Sequence, residues 1–268
     1  MDQNNDHKDM KRSVRKIYSE IARGRQQSCC GTSTSCCGPV GAMTDGVYEG
    51  IGGYIPETDL GLGCGVPTEF AGIEPGMTVV DLGSGAGIDA FIAARLVGPT
   101  GFVIGVDMTT EMIERANENK SRLNVDNVEF RLGEIERLPV DDASVDVVIS
   151  NCVLNLVPNK ERAFRETARV LKSGGWFCVS DIVLEGEIPP EWRDDPTMYA
   201  GCISGAAQKA EFIAMVERAG FQRIEIVQEK EIPPSFLDAL LTEKPAGQAG
   251  KPPATVRVFS ITVRGVRP

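Results

Sequence analysis

The stretch "VVDLGSGAGIDAF", residues 79–91, decides the fold. "VVDL" is a short apolar run ended by an acid, and "IDAF" opens a segment of helical texture, "IDAFIAARLV" (88–97). Between them, Gly83, Gly85 and Gly87 permit a tight turn and let a ligand approach the backbone closely. The spacing is G-x-G-x-G, not the G-x-G-x-x-G of a dinucleotide fold. Taken alone, the loop has a competing reading, a turn that serves only helix–strand packing.

The surrounding chain repeats the same alternation. Strands are expected at 77–83, 101–108, 127–134, 145–151 and 175–183. Helices are expected at 88–97, 110–123 and 161–171, with Phe91, Ala94 and Leu96 turned to the sheet and a Thr cap opening the second. Strands alternating with helices of this length imply a parallel sheet covered on both faces. A further amphipathic helix (209–221) and two strands (223–232, 255–265) close the chain. Residues 185–205 break the rhythm with Gly and Pro and read as a lid, and residues 243–254 read as a flexible connection.

Acids stand at three successive strand ends. Asp81 ends the first strand, Asp107 ends the second where it can reach a ribose hydroxyl pair, and Glu134 ends the third where it can accept from an adenine amine. No Lys or Arg lies in the glycine loop to meet a phosphate. That argues against NAD and ATP and suits S-adenosylmethionine, whose ammonium and sulfonium are cationic. The expected cofactor set is Asp81, Gly83, Ser84, Gly85, Asp107, Met108, Glu134, Ile135 and Asn151.

Composition narrows the class further. The 268 residues are 42% hydrophobic and 25% charged, ordinary values for a chain that buries a full core without staples. The net charge of -10 would repel a phosphate backbone, so nucleic acid is an unsuitable substrate. No leader segment and no apolar run of roughly 18 to 20 residues is seen, so a cytoplasmic chain that neither spans nor binds a membrane is expected. Residues 1–10 read as a disordered tail. Beyond them Val14, Ile17, Tyr18 and Ile21 share one helix face, opposite a basic, solvated face of Lys11, Arg12, Arg15 and Lys16. His7 is the single histidine, so no His-based triad can be built and a His-ligated zinc site is disfavoured.

The cysteines carry the chemistry. There are eight: Cys29, Cys30, Cys36, Cys37, Cys64, Cys152, Cys178 and Cys202. A free Cys is most often a small buried hydrophobe, and Cys178, mid-strand, is read so. Cys152 follows the fourth strand in "SNCVLNL", Cys202 sits in the Gly-rich "MYAGCISGA", and Cys64 in "DLGLGCGVP" just ahead of the first strand. All three segments border the ligand end of an open α/β sheet. Three converging thiolates make a soft site. Zinc would want four ligands, and these three leave no fourth. Trigonal As(III) needs three and keeps a lone pair able to attack a sulfonium-bound methyl group.

"VVDLGSGAG", "GVDMTTEMIERA", "VEFRLGEIERLPV" and "ASVDVVISNCVLNLV" resemble the successive motifs of class I S-adenosylmethionine-dependent methyltransferases, over roughly residues 60–225. The resemblance implies a Rossmann-like α/β seven-stranded sheet with its last strand antiparallel. It divides the chain into an N-terminal helix and Cys-rich segment (1–59), a cofactor-binding core (60–184) and a lid with C-terminal strands (185–268). "LGLGCGVP", "ISNCVLNLV" and "YAGCISGA" further resemble the arsenite methyltransferase family. In that resemblance Cys64, Cys152 and Cys202 bind As(III), taken up as thiol complexes, and S-adenosylhomocysteine is the co-product. It also implies that an N-terminal Cys pairs with Cys64 on oxidation, and that thioredoxin or glutathione restores the thiols. Which of Cys29, Cys30, Cys36 and Cys37 does so stays open, as do a zinc clip or extra As(III) capture by these pairs. The chain is expected to act as a monomer. Two other functions compete: methylation of a small organic molecule such as a quinone, and non-catalytic metalloid binding by thiols.

Overall fold

The computed structural model describes residues 3–24, 48–193, 198–199, 202–234 and 256–268. Eight strands form one sheet: β1 (Thr78–Leu82), β2 (Phe102–Asp107), β3 (Val128–Leu132), β4 (Val145–Asn151), β5 (Leu171–Glu185), β6 (Ala207–Gln208), β7 (Gln222–Ile232) and β8 (Arg257–Val266). The main path runs β3-β2-β1-β4-β5-β8-β7, and the two-residue β6 adds to β5. The first five strands pair in parallel, whereas β8 is antiparallel to both β5 and β7. This is the seven-stranded order with an antiparallel last strand, extended by one short strand. The chain therefore has the α/β fold of class I methyltransferases.

Helices cover both faces. They are α1 (Gln3–Ala22), α2 (Pro67–Phe70), α3 (Ile88–Val97), α4 (Thr110–Leu123), α5 (Lys160–Val170), α6 (Pro190–Arg193) and α7 (Lys209–Arg218). One core layer gathers Val80, Leu82, Val148, Phe164, Phe177 and Phe212. The opposite layer gathers Val79, Phe91, Ala94, Val97, Val147 and Cys178. Inward-facing positions alternate along the strands, so Val79 and Val80 serve different layers. Cys178 belongs to packing, as its mid-strand position predicts, and burial pushes its thiol up to about 12.

Three local expectations are corrected. Leu96 is exposed while Val97 is fully buried. At 100° per residue the stripe begun by Phe91 and Ala94 continues at Val97, not at Leu96. Thr109 precedes α4 but makes no side-chain cap, and Asp107 Oδ1 accepts from its amide instead at 2.8 Å. Helix α1 begins at Gln3, not near residue 12, so most of the expected tail is helical. The expected connection at 243–254 lies outside the described residues. Among the described residues no helix is long and apolar enough to cross a membrane.

Candidate active site

The glycine loop folds back on the end of β2. Gly83 and Ser84 donate their amides to Val106 O, and Gly85 donates to Asp107 Oδ2 at 3.1 Å. Gly83 has φ +66°, and a Cβ there would lie 2.5 Å from Val153. Gly85, at φ +51°, faces open space. The cavity above the loop is bordered by Asp81, Gly83, Ser84, Gly85, Asp107, Met108, Ile135 and Asn151, all expected from the sequence, and by Asp89, which was not.

This end of the cleft holds unanswered acceptors. Asp81 Oδ2, Asp89 Oδ1 and Ser84 Oγ are buried without a hydrogen-bond partner. Burial, then the Asp89 and Asp107 carboxylates, push the Asp81 carboxyl well above its usual range. Burial pushes Asp89 up to about 6, against hydrogen bonds from Asn151 and Tyr48. Asp107 is also raised by burial, and the Thr109 and Gly85 amides oppose the rise. A ligand bringing positive charge and donors satisfies these oxygens and favours their ionised forms.

Glu134 does not border this cavity. Lys11 Nζ meets Glu134 Oε2 at 2.9 Å and Glu136 Oε2 at 2.6 Å, and Arg15 stands 3.5 Å from Glu134. Glu136, two residues further on, is the acid in the wall. Lys11, Val14 and Tyr18 border the same cavity, so α1 closes its roof. The basic face of α1 is therefore partly docked rather than solvated. The acids that end β3 attract it.

The thiols form the other end. Cys152 follows β4 at φ +57°, and Cys202 has φ +60°. Left-handed backbone is costly for a side-chain-bearing residue, about 1–2 kcal/mol each, and such strain clusters at functional sites. Packing holds it here. Cys152 N donates to Ser180 O at 2.8 Å, and Asn155 Nδ2 donates to Ile182 O at 2.7 Å and Cys202 O at 3.2 Å. Cys64 is buried, its amide donating to Asn151 Oδ1 at 3.0 Å and its carbonyl accepting from Ser260 Oγ at 2.6 Å. The sulfurs of Cys64 and Cys152 and a carboxylate oxygen of Asp181 lie within 4.8 Å of one another. Cys202 Sγ is 3.5 Å from Cys152 O.

All three thiols are held neutral. Burial pushes Cys64 up. The Cys202 hydrogen bond favours the Cys152 thiolate, but Cys64 and burial outweigh it and raise the thiol. The bond to Cys152 and burial raise Cys202. The glycine beside Cys64 has a packing reason: a Cβ on Gly65 would lie 2.8 Å from Ser180 Oγ. The described part of the expected lid packs against the thiols. Trp192, Met198 and Ile203 are fully buried in one cluster with Cys64, Cys152 and Cys202.

Asn151 ties the two ends together. Its Oδ1 holds the Cys64 amide, and its Nδ2 reaches Tyr48 Oη at 2.6 Å and Asp89 Oδ2 at 3.1 Å. Tyr48 donates to Asp89 Oδ2 at 2.9 Å. Asp89, Tyr48 and Asp181 lie outside the set expected from the sequence. Asp181 carried a signal, an acid inside the apolar strand "WFCVSDIV". Cys29, Cys30, Cys36 and Cys37 lie outside the described residues.

A methyltransferase domain family model matches residues 73–220. An arsenite methyltransferase of Halobacterium salinarum is 44% identical over 84% of this chain, which spans 61% of that protein's length. An arsenite methyltransferase of Aquipseudomonas alcaligenes is 35% identical, and the match covers 94% of this chain and 72% of that one. The crystal structure of an arsenic(III) S-adenosylmethionine methyltransferase from Chlamydomonas reinhardtii superposes with a TM-score of 0.63 at 35% identity, covering 84% of this chain and 72% of the other.

Proposed function

The chain belongs to the arsenite methyltransferase family, and from that premise we propose that it methylates trivalent arsenic, arsenite and methylarsenite, for arsenic detoxification. The observation that carries the reading is the adjacency of two unlike sites. Three buried thiols stand beside a cavity whose orphaned carboxylate oxygens suit a cation, and Asn151 bonds to both.

The residues present fit S-adenosylmethionine. Asp81, Asp89 and Asp107 would hold its cationic and hydroxyl groups, with the open face of Gly85 leaving room beside the loop. When bound, it supplies a methyl group on a sulfonium and leaves as S-adenosylhomocysteine. The chain's own work is ligation, orientation and exclusion of water. Each thiol of Cys64, Cys152 and Cys202 replaces one hydroxide or thiolate ligand of As(III), and its proton leaves with that ligand as water or free thiol. The product of ligation is neutral, which suits a buried site where thiolates are disfavoured. The nucleophile is the arsenic lone pair, so no protein base is needed.

Methyl transfer onto the lone pair oxidises arsenic by two electrons. Two thiols can return them by forming one disulfide, and glutathione or thioredoxin can then reduce it. We assign this role to Cys64 with one of Cys29, Cys30, Cys36 and Cys37. As(III) enters as a thiol complex, and the chain acts as a monomer. The test is incubation with arsenite, glutathione and S-adenosylmethionine, with speciation of methylated arsenic. Methylated product is expected, and its absence overturns the reading. Cys152→Ser, Cys202→Ser and Cys64→Ser are each expected to abolish it. Full activity in the Cys64 and Cys202 variants breaks the three-thiol model.

A further inference from the structure

The thiol end of the cleft also holds a carboxylate, Asp181, beside the sulfurs of Cys64 and Cys152. Asp181 lies inside β5 with no exposed surface. Its Oδ1 accepts from the Ile182 amide at 2.8 Å, and its Oδ2 has no hydrogen-bond partner. A buried carboxylate oxygen without a partner calls for one. The thiols are the groups at hand, since an Asp181 oxygen shares a 4.8 Å sphere with the sulfurs of Cys64 and Cys152. Cys202 stands outside that sphere with its Sγ on Cys152 O at 3.5 Å, and it adds a third sulfur by turning toward the other donors.

Three trigonal donors serve As(III), but four donors serve a different ion. Zinc takes tetrahedral sets of thiolate and carboxylate, at about 2.3 Å to sulfur and about 2.0–2.2 Å to oxygen. Donors around such an ion stand roughly 3.5–3.8 Å apart, so the Cys64, Cys152 and Asp181 donors are already near that spacing and Cys202 must swing in on binding. Left-handed Cys152 and Cys202 hold two of these donors on backbone that the fold has already strained into place.

We propose that Cys64, Cys152, Cys202 and Asp181 form a four-coordinate site for a thiophilic divalent cation, zinc above all, which excludes As(III) from the same sulfurs. The site carries three thiolates and one carboxylate against two positive charges. A bound divalent ion thus makes the thiol end an inhibitory metal site as well as a substrate site. The oxygen donor separates the two occupants: zinc uses Asp181, and As(III) does not.

Cadmium reports on this site, because thiolate-to-cadmium absorption counts sulfurs. The protein to use is the full chain carrying Cys29→Ser, Cys30→Ser, Cys36→Ser and Cys37→Ser. One equivalent of Cd²⁺ is expected, bound by three sulfurs and competed by Zn²⁺. Asp181→Asn is expected to weaken Cd²⁺ and Zn²⁺ binding by about tenfold or more, while As(III) still titrates the three thiols. Equal Cd²⁺ affinity in Asp181→Asn, or absorption from fewer than three sulfurs, overturns the proposal. Should that variant fail to fold, the ¹¹³Cd chemical shift of the site with Asp181 intact decides. A shift for three sulfurs and one oxygen supports the proposal, and an all-sulfur shift overturns it. The proposal does not rest on arsenic chemistry: Cd²⁺ binding without As(III) binding would defeat the proposed function and leave this site standing.

Discussion

The two ends of the cleft are buried alike and prepared in opposite ways. At the glycine-loop end, carboxylates crowd one another and keep two oxygens without partners, so the end is poised for positive charge. At the thiol end the groups are neutral, and what is stored is backbone strain, at Cys152 and Cys202. The first site is incomplete electrostatically and the second geometrically. A cationic ligand relieves the first, whereas a trigonal neutral product fits the second without adding charge.

The sharpest way to break this comparison is to damage one end and read both. Cys202→Ser is expected to lower As(III) binding, followed by thiol titration, by about a hundredfold or more, with S-adenosylmethionine affinity unchanged. Asp89→Asn is expected to do the reverse. Removing a charge that faces a cation costs about 2 kcal/mol, roughly 30-fold in S-adenosylmethionine affinity by calorimetry. If either substitution moves both affinities equally, the ends are one site and the division fails.

The next effect is on pH dependence. Burial raises Asp89 to about 6, so below that pH it is protonated and a cation must displace the proton. Affinity for S-adenosylmethionine is expected to rise by up to about tenfold per unit as pH climbs through 6, and the neighbouring Asp81 carboxyl, also raised, extends the rise beyond it. Arsenite ligation releases water rather than protons, so it is expected to stay flat over the same range. Calorimetry from pH 5 to 8 checks both, and a flat cofactor profile would remove Asp89 from the cation site.

The carboxylate end was more legible in the sequence than the thiol end, for a physical reason. A strand–loop–helix motif fixes Asp81 and the glycines locally, and parallel topology puts Asp107 beside them. Asp89 escaped because an acid in a helix's first turn is ordinary dipole chemistry. The Cys64 and Cys202 segments stand out by their Gly-rich texture and Cys152 by its place after the fourth strand, yet the neighbours that shape them come from afar. Asn151 grips the Cys64 amide across 87 positions, and Ser260 grips its carbonyl across 196. Asp181 was hidden because an isolated acid in an apolar strand reads equally as an edge or a bulge. Lys11 was misplaced for a similar reason, since its acidic partners Glu134 and Glu136 stand more than a hundred positions downstream.

The smallest expected effect lies within the glycine loop itself. Gly83→Ala must disturb the fold, because its Cβ would press on Val153 in addition to the strain of positive φ. Gly85→Ala meets nothing within 4 Å, so it bears the strain alone. The expected loss is about 1 kcal/mol, or a melting temperature lower by roughly 2–4 °C for a chain of this size. Gly85 borders the cavity assigned to the cationic ligand, so S-adenosylmethionine affinity is expected to fall as well, while As(III) binding at the far end is not. Thermal unfolding with and without S-adenosylmethionine reads both terms. A Gly85→Ala chain that is destabilised as much as Gly83→Ala, yet still gains full stabilisation from S-adenosylmethionine, would place the ligand elsewhere. The glycine would then serve the turn, not the cofactor.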